Sequence, residues 1–149
     1  MPNRHRPRPD IRGQALRLLA RREHSRLELQ EKLRRSGFED AAIGILLDAL
    51  VAEDLLSDRR FADAYARARV ERGYGPRRIA FELRERGVEP ALIDAALRDY
   101  ASEWVDRARR QVLRRFGAQP PADFRERARR MRFLERRGFP ADVVRDAVM

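Results

Sequence analysis

The chain has 149 residues, 43% of them apolar, which is enough for one ordinary domain or a short array of small modules and excludes disorder throughout. Its 34 basic residues outweigh 24 acidic ones, for a net charge of +10 that favours an anionic partner such as nucleic acid; with no cysteine, disulfides and thiol chemistry are excluded. His5 and His24 are the only imidazoles and cannot build a transition-metal cluster, and no apolar run of about 18 residues suggests a membrane span or secretory signal, so a soluble cytoplasmic protein is expected.

In chain order, the opening "MPNRHRPRPD" is rich in arginine and proline and is expected to form a flexible basic arm over residues 1–12. A first helical module is expected over residues 13–56, beginning with a helix near Gln14–Glu23. Ser25 followed by Glu28 is a capping box that opens the next helix, which carries Leu33 and stops at Gly37. The second module, 57–100, starts with a helix over Asp58–Arg72. Gly75-Pro76 ends that helix and opens another, which carries Leu83 and stops at Gly87; Pro90 suits the first turn of its successor. The third module, 101–149, begins with a helix over Ser102–Phe116, in which Val105, Ala108, Val112 and Phe116 share one stripe and Arg107, Arg110 and Arg114 lie opposite. A linker, "GAQPPAD", leads to "RERARRMRFLERRG". There Phe124, Ala128, Met131 and Leu134 form an apolar stripe, with a row of Arg125, Arg129, Arg132 and Arg136 beside it. Gly138 then stops this helix, and Pro140 suits the first turn of the last one.

The three modules are copies of one pattern. Gly37, Gly87 and Gly138 are spaced 50 and 51 residues apart; a leucine stands four positions before each, and Phe38, Val88 or Phe139 one after. Ile43, Ile93 and Val144 follow at plus six, and Leu47, Leu97 and Val148 at plus ten. Each copy reads as helix, glycine stop, helix, preceded by one more helix. No segment alternates as a strand would. The expected fold is all-α, a tandem array of three three-helix modules that is elongated and curved.

Charge is distributed unevenly over this array. Residues 1–26 hold eight arginines against two acids (+6), residues 27–103 thirteen basic against sixteen acidic residues (−3), and residues 104–149 thirteen against six (+7). An acidic centre between basic ends suits a protein that meets a protein surface as well as phosphates.

Catalytic constellations are missing. The glycines stand singly at helix ends and not in a phosphate loop, and the serines lack a base; no catalytic residue, cofactor or small-molecule substrate is expected. His24 reads as a residue between a helix end and a cap. Glu53, Asp54 and Asp58 could hold Mg²⁺, but a helix end, a turn and an N-cap explain them better, so no metal is expected. Tyr65 and Trp104 fit core stripes, whereas Tyr74, between glycines, is open to either packing or stacking on a base. An arginine face can be simply solvated, but the Arg125, Arg129, Arg132, Arg136 row lies in a helix with fewer acids than its counterparts, which carry Glu28 and Glu31 or Glu82 and Glu85. That contrast points to the third module as the anion-facing end, with Arg77, Arg78, Arg84, Arg107, Arg110 and Arg114 as further candidates.

The stretch "SRLELQEKLRRSGF" with "LLSDRRFADAYARARVERGYGPRRIAFELRERGV" resembles the RecX family, bacterial regulators of the RecA recombinase. Ser25, Glu28, Leu29, Lys32, Leu33 and Gly37 carry the match in the first module. Leu56, Asp58, Phe61, Ala62, Tyr65, Arg69, Gly75, Ile79, Leu83 and Gly87 carry it in the second, and Leu134 and Gly138 extend it into the third. The resemblance implies a non-enzymatic protein that binds a RecA–DNA filament, inhibits the recombinase and limits filament extension in DNA repair and recombination. Its partners would be the RecA filament and single- or double-stranded DNA, met through phosphates, with no membrane involved. The alternative is a stand-alone helical DNA-binding protein that contacts the phosphate backbone.

Overall fold

The computed structural model describes residues 10–149, and among these it contains nine α-helices and no strand. They are α1 (Ile11–Arg21), α2 (Arg26–Arg35), α3 (Asp40–Ala52), α4 (Asp58–Glu71), α5 (Pro76–Glu85), α6 (Pro90–Arg98), α7 (Trp104–Phe116), α8 (Phe124–Arg136) and α9 (Ala141–Val148). Three three-helix modules therefore follow one another in sequence. The chain forms two compact units that divide after Phe61, inside α4. No helix among the described residues is long and apolar enough to cross a membrane.

The first unit is built around α1–α3. Ala15, Leu29, Leu33, Ile43, Leu46, Leu47, Leu50 and Leu56 form its core, with Ile11, Leu18, Leu19 and Phe38 packed against it. Each fully buried leucine or isoleucine there contributes about 1.5–3 kcal/mol. Side chains fix the helix ends. The Asp10 carboxylate accepts from the Arg12 N–H at 3.2 Å, and the capping box is complete, with Glu28 N–H donating to Ser25 Oγ at 3.1 Å and Ser25 N–H to Glu28 Oε1 at 3.2 Å. Asp58 acts at long range: from the first turn of α4 its carboxylate takes the Arg26 N–H at 2.7 Å, satisfying an orphan donor of α2.

The repeat glycines share one geometry. After α2, α5 and α8 the chain turns through Gly37, Gly87 and Gly138 at φ +92°, +78° and +95°. In each case the N–H one residue later reaches back to the repeat leucine: Phe38 to Leu33 O at 3.3 Å, Val88 to Leu83 O at 3.1 Å, Phe139 to Leu134 O at 3.1 Å. These are Schellman turns, and Leu33, Leu83 and Leu134 beneath them are wholly buried.

In the second unit, modules two and three are joined backbone to backbone. Gly75 N–H donates to Arg137 O at 2.7 Å and Arg77 N–H to Gly138 O at 2.9 Å, so the start of α5 sits on the turn after α8. A Cβ on Gly75 would come within 2.6 Å of the Gly138 carbonyl, so neither position has room for a side chain. Nearby, Trp104 packs edge-on to Phe139 at 6.3 Å, and Phe116 to Phe133 at 5.5 Å.

Four local expectations differ from the structure. α1 spans Ile11–Arg21, because Asp10 caps it and Arg22 is already extended at φ −165°. Most of the expected 1–12 arm lies outside the described residues, and residues 11 and 12 belong to α1. Pro140 is the N-cap of α9. Phe124 leaves the apolar stripe of α8 and is 85% exposed. It is the first helical residue, and helix side chains tilt toward the N-terminus, so its ring projects past the packed part of the helix. Arg130 fills the inner face instead, 4% exposed, bonded to Glu126 at 2.8 Å and lying 5.4 Å from the Phe116 centroid.

Candidate nucleic-acid interface

The polar side of α7 is where arginines gather. Its inner stripe, Trp104, Ala108 and Val112, is buried, which turns Arg107, Arg110, Gln111 and Arg114 toward the joint between the modules. Gly73, at φ +91°, faces α7, where an added Cβ would meet the amide end of the Gln111 side chain. Two adjoining concavities result, of about 150 and about 200 Å³, both lined by Gln111 and Arg114. Arg107 and Arg110 complete the first with Tyr74; Arg72, Arg115 and Arg137 complete the second with Phe133. Glu71 is the one acid in either lining.

Several of these guanidinium groups are held in place. Arg107 bonds Glu103 at 3.2 Å, and its buried Nε has no hydrogen-bond partner among the described residues. Arg137 donates to Arg72 O at 3.1 Å. Tyr74 collects three guanidinium groups around its ring, with Arg69 at 4.0 Å, Arg78 at 4.3 Å and Arg137 at 5.1 Å from the centroid. Behind this cluster Glu82 accepts from Arg69 at 2.7 Å and from the Tyr65 hydroxyl at 2.6 Å. Burial opposes the Glu82 charge, but the bonds from Arg69 and Tyr65 outweigh it and hold the carboxyl below its ordinary value. Burial, aided by the bond to Glu82, pushes the Tyr65 phenol up to about 12.

The sequence-derived candidates separate into groups. Arg107, Arg110 and Arg114 line the concavities. Arg78 stands beside them, stacked on Tyr74 and donating to Arg136 O at 3.4 Å, while Arg77 and Arg84 are exposed on α5. Arg125, Arg129, Arg132 and Arg136 are exposed along α8, and none of them lines the two concavities. Arg72, Arg115, Arg137 and Tyr74 were not singled out as anion-facing by sequence. One signal was available: Arg72 and Arg137 each directly precede a glycine of positive φ, Gly73 and Gly138, at the end of a helix.

The remaining candidates have structural partners. Glu53 pairs with Arg12 at 2.9 Å, Asp54 with Arg60 at 2.8 Å, and Asp58 caps α2; no group of three metal-ligating side chains occurs among the described residues. Chemically, the α7 concavities offer fork-shaped, permanently charged donors that match phosphate oxygens in pairs.

Comparison with known proteins agrees with the modular reading. Models of the first, second and third three-helix domains of RecX match residues 12–50, 57–97 and 101–148. The chain is 53% identical over 137 residues to the regulatory protein RecX of Halorhodospira halophila, covering 92% of this chain and 85% of that one. It is 48% identical over 134 residues to the regulatory protein RecX of Pseudomonas putida, covering 90% and 86%. In fold it is similar to the crystal structure of RecX from Lactobacillus salivarius, with a TM-score of 0.78 at 22% identity over 93% of this chain and 92% of that one.

Proposed function

The chain belongs to the RecX family of regulatory proteins, and we propose from this that it regulates a RecA recombinase by binding the RecA–DNA filament, inhibiting its activity and its extension. The observation that carries the reading is the convergence of Arg72, Arg107, Arg110, Arg114, Arg115 and Arg137 on one side of the second unit, against a single acid. That surface suits the phosphates of filament DNA, while the near-neutral helices of the first two modules are left to meet protein. The proposed role is one of binding, in which the guanidinium groups position phosphates.

The test is the RecA ATPase on single-stranded DNA with increasing amounts of this protein. Inhibition at amounts below one per RecA is expected, and it should weaken when Arg110 and Arg114 are changed to glutamate. An ATPase unaffected up to equimolar protein overturns the proposal.

A further inference from the structure

The chain has one lysine, Lys32, and the structure places its amine against a buried imidazole. Lys32 Nζ lies 2.8 Å from His24 Nε2, and His24 Nδ1 lies 3.1 Å from Arg22 O. A backbone carbonyl only accepts, so Nδ1 carries the ring hydrogen and donates it. Nε2 is then a lone pair, facing the lysine. His24 is 1% exposed and cannot rotate away, whereas Lys32, on the rim of α2, is half-buried. The pair is thus a fixed base beside a reachable amine.

We propose that Lys32 is a site of acylation, taking the acyl group of small anionic donors of the acyl phosphate class, with His24 receiving the proton. The neutral amine keeps one N–H directed at His24 Nε2 and turns its lone pair outward. It attacks the carbonyl carbon of the donor, forming a C–N bond; the C–O bond to phosphate breaks, and phosphate leaves with the electron pair. The proton lost by nitrogen passes to His24 Nε2 and on to the departing phosphate. No other reactant is needed.

The surroundings keep both groups in the neutral form that the attack requires. Burial first, then Arg22, lowers the affinity of Lys32 for its proton, with Arg35 and Arg21 adding to this and Glu28 opposing it. Burial likewise keeps His24 neutral, aided by Arg22 and Lys32 and opposed by its bond to Arg22 O and by Glu28. Arg21, Arg22 and Arg35 also give the amine a positive surround that draws an anionic donor. The product amide retains an N–H for His24, so acylation removes a charge from α2 and leaves its packing intact.

The test treats the full chain with acetyl phosphate and follows Lys32 and the chain's α-amino group by peptide mass spectrometry. A short unstructured peptide of residues 28–36 serves as reference. Lys32 in the folded protein is expected to react about a hundredfold faster than in the peptide, the lower end of what a positioned base contributes. His24→Gln keeps an acceptor for the lysine but not a base, and should return the rate to that of the peptide with the α-amino rate unchanged. Should that variant fail to fold, the pH dependence of the native rate decides: its midpoint is expected below the ordinary lysine value of 10.5. A native rate no faster than the peptide's, a folded His24→Gln variant as fast as the native chain, or a midpoint at or above that value each overturns the proposal.

Discussion

Gly37 and Gly138 occupy equivalent turns, yet replacing each with alanine should have very different consequences. Both have φ above +90°, where a Cβ costs about 1–2 kcal/mol. At Gly37 nothing lies within 4 Å of the added carbon, so this strain is the whole penalty. At Gly138 the carbon would collide with Arg78 Cβ and come within 2.6 Å of Arg78 N and 3.0 Å of its Cα. These are atoms of the α5 backbone and its root, and they cannot swing aside. α5 must move away from α8, at about 1–3 kcal/mol for overpacking and about 1 kcal/mol for weakening the bonds of Gly75 and Arg77 across the joint. The expected losses are therefore about 1–2 kcal/mol for Gly37→Ala and about 3–6 kcal/mol for Gly138→Ala.

Urea denaturation measures this directly. With a slope near 2 kcal/mol per M, the midpoint should fall by about 0.5–1 M for Gly37→Ala and about 1.5–3 M for Gly138→Ala. Trp104, the only tryptophan, packs on Phe139 beside the joint and reports the second unit by fluorescence, while circular dichroism reports the whole chain. Equal shifts for the two variants would show that the joint is not tightly held and would refute the reasoning.

The Arg110→Glu/Arg114→Glu variant should bind DNA more weakly and with a flatter salt dependence, its log–log slope smaller by about 0.7–0.9 for each phosphate that is no longer neutralised; an unchanged slope would remove α7 from the interface. His24 is kept below its ordinary 6.5, chiefly by burial, so its contribution is complete above that value and is lost as pH falls through it, when the unfolded chain takes up a proton that the fold resists. The urea midpoint read by circular dichroism should therefore drop between about pH 7 and about pH 5, and His24→Gln should flatten the drop. Tyr65 is the reverse case: its phenol is held protonated to about 12, so its contribution is complete below the ordinary 10.0 and fades above it. Alkaline absorbance titration should find one of the three tyrosines ionising late, and Tyr65→Phe should abolish that late step and destabilise by about 1 kcal/mol.

The fold was legible because its signals are local. Leucine four before glycine and an apolar residue after it encode a Schellman turn, and the three turns divide the chain into modules whatever surrounds them. Ser25 with Glu28, and Gly75 with Pro76, are local too. What the sequence hid depends on approaches between distant segments. Asp58 looked like a cap for its own helix and serves α2, 32 residues back. Phe124 has the right helical phase for burial but stands too near the helix end to reach a neighbour. Arg130 looks like any exposed arginine until Glu126 and Phe116 enclose it. The concavities draw on α4, α7 and α8, and no pattern within one helix could have joined Arg72 to Arg114 and Arg137.

The same distinction bears on which arginines suit the proposed phosphate binding. Four exposed guanidinium groups in a row on α8 satisfy a pattern, but each must give up the rotamer freedom of a long side chain to hold a phosphate, at up to about 2 kcal/mol apiece. Around α7 part of that cost is already met by folding. Arg107 is tied to Glu103, Arg137 to Arg72 O and Phe133, and Arg78 and Arg69 to the ring of Tyr74. Guanidinium groups held close together with fewer acids than bases repel one another, and the fold sustains this in part through the two bonds between α5 and the turn after α8. A phosphate entering there relieves the repulsion and finds its donors ordered, whereas along α8 it would have to order them first. Gly138, which marks the repeat, thus also helps to shape the proposed site, since with Gly75 it lets the start of α5 lie directly on the turn after α8, beside Arg137.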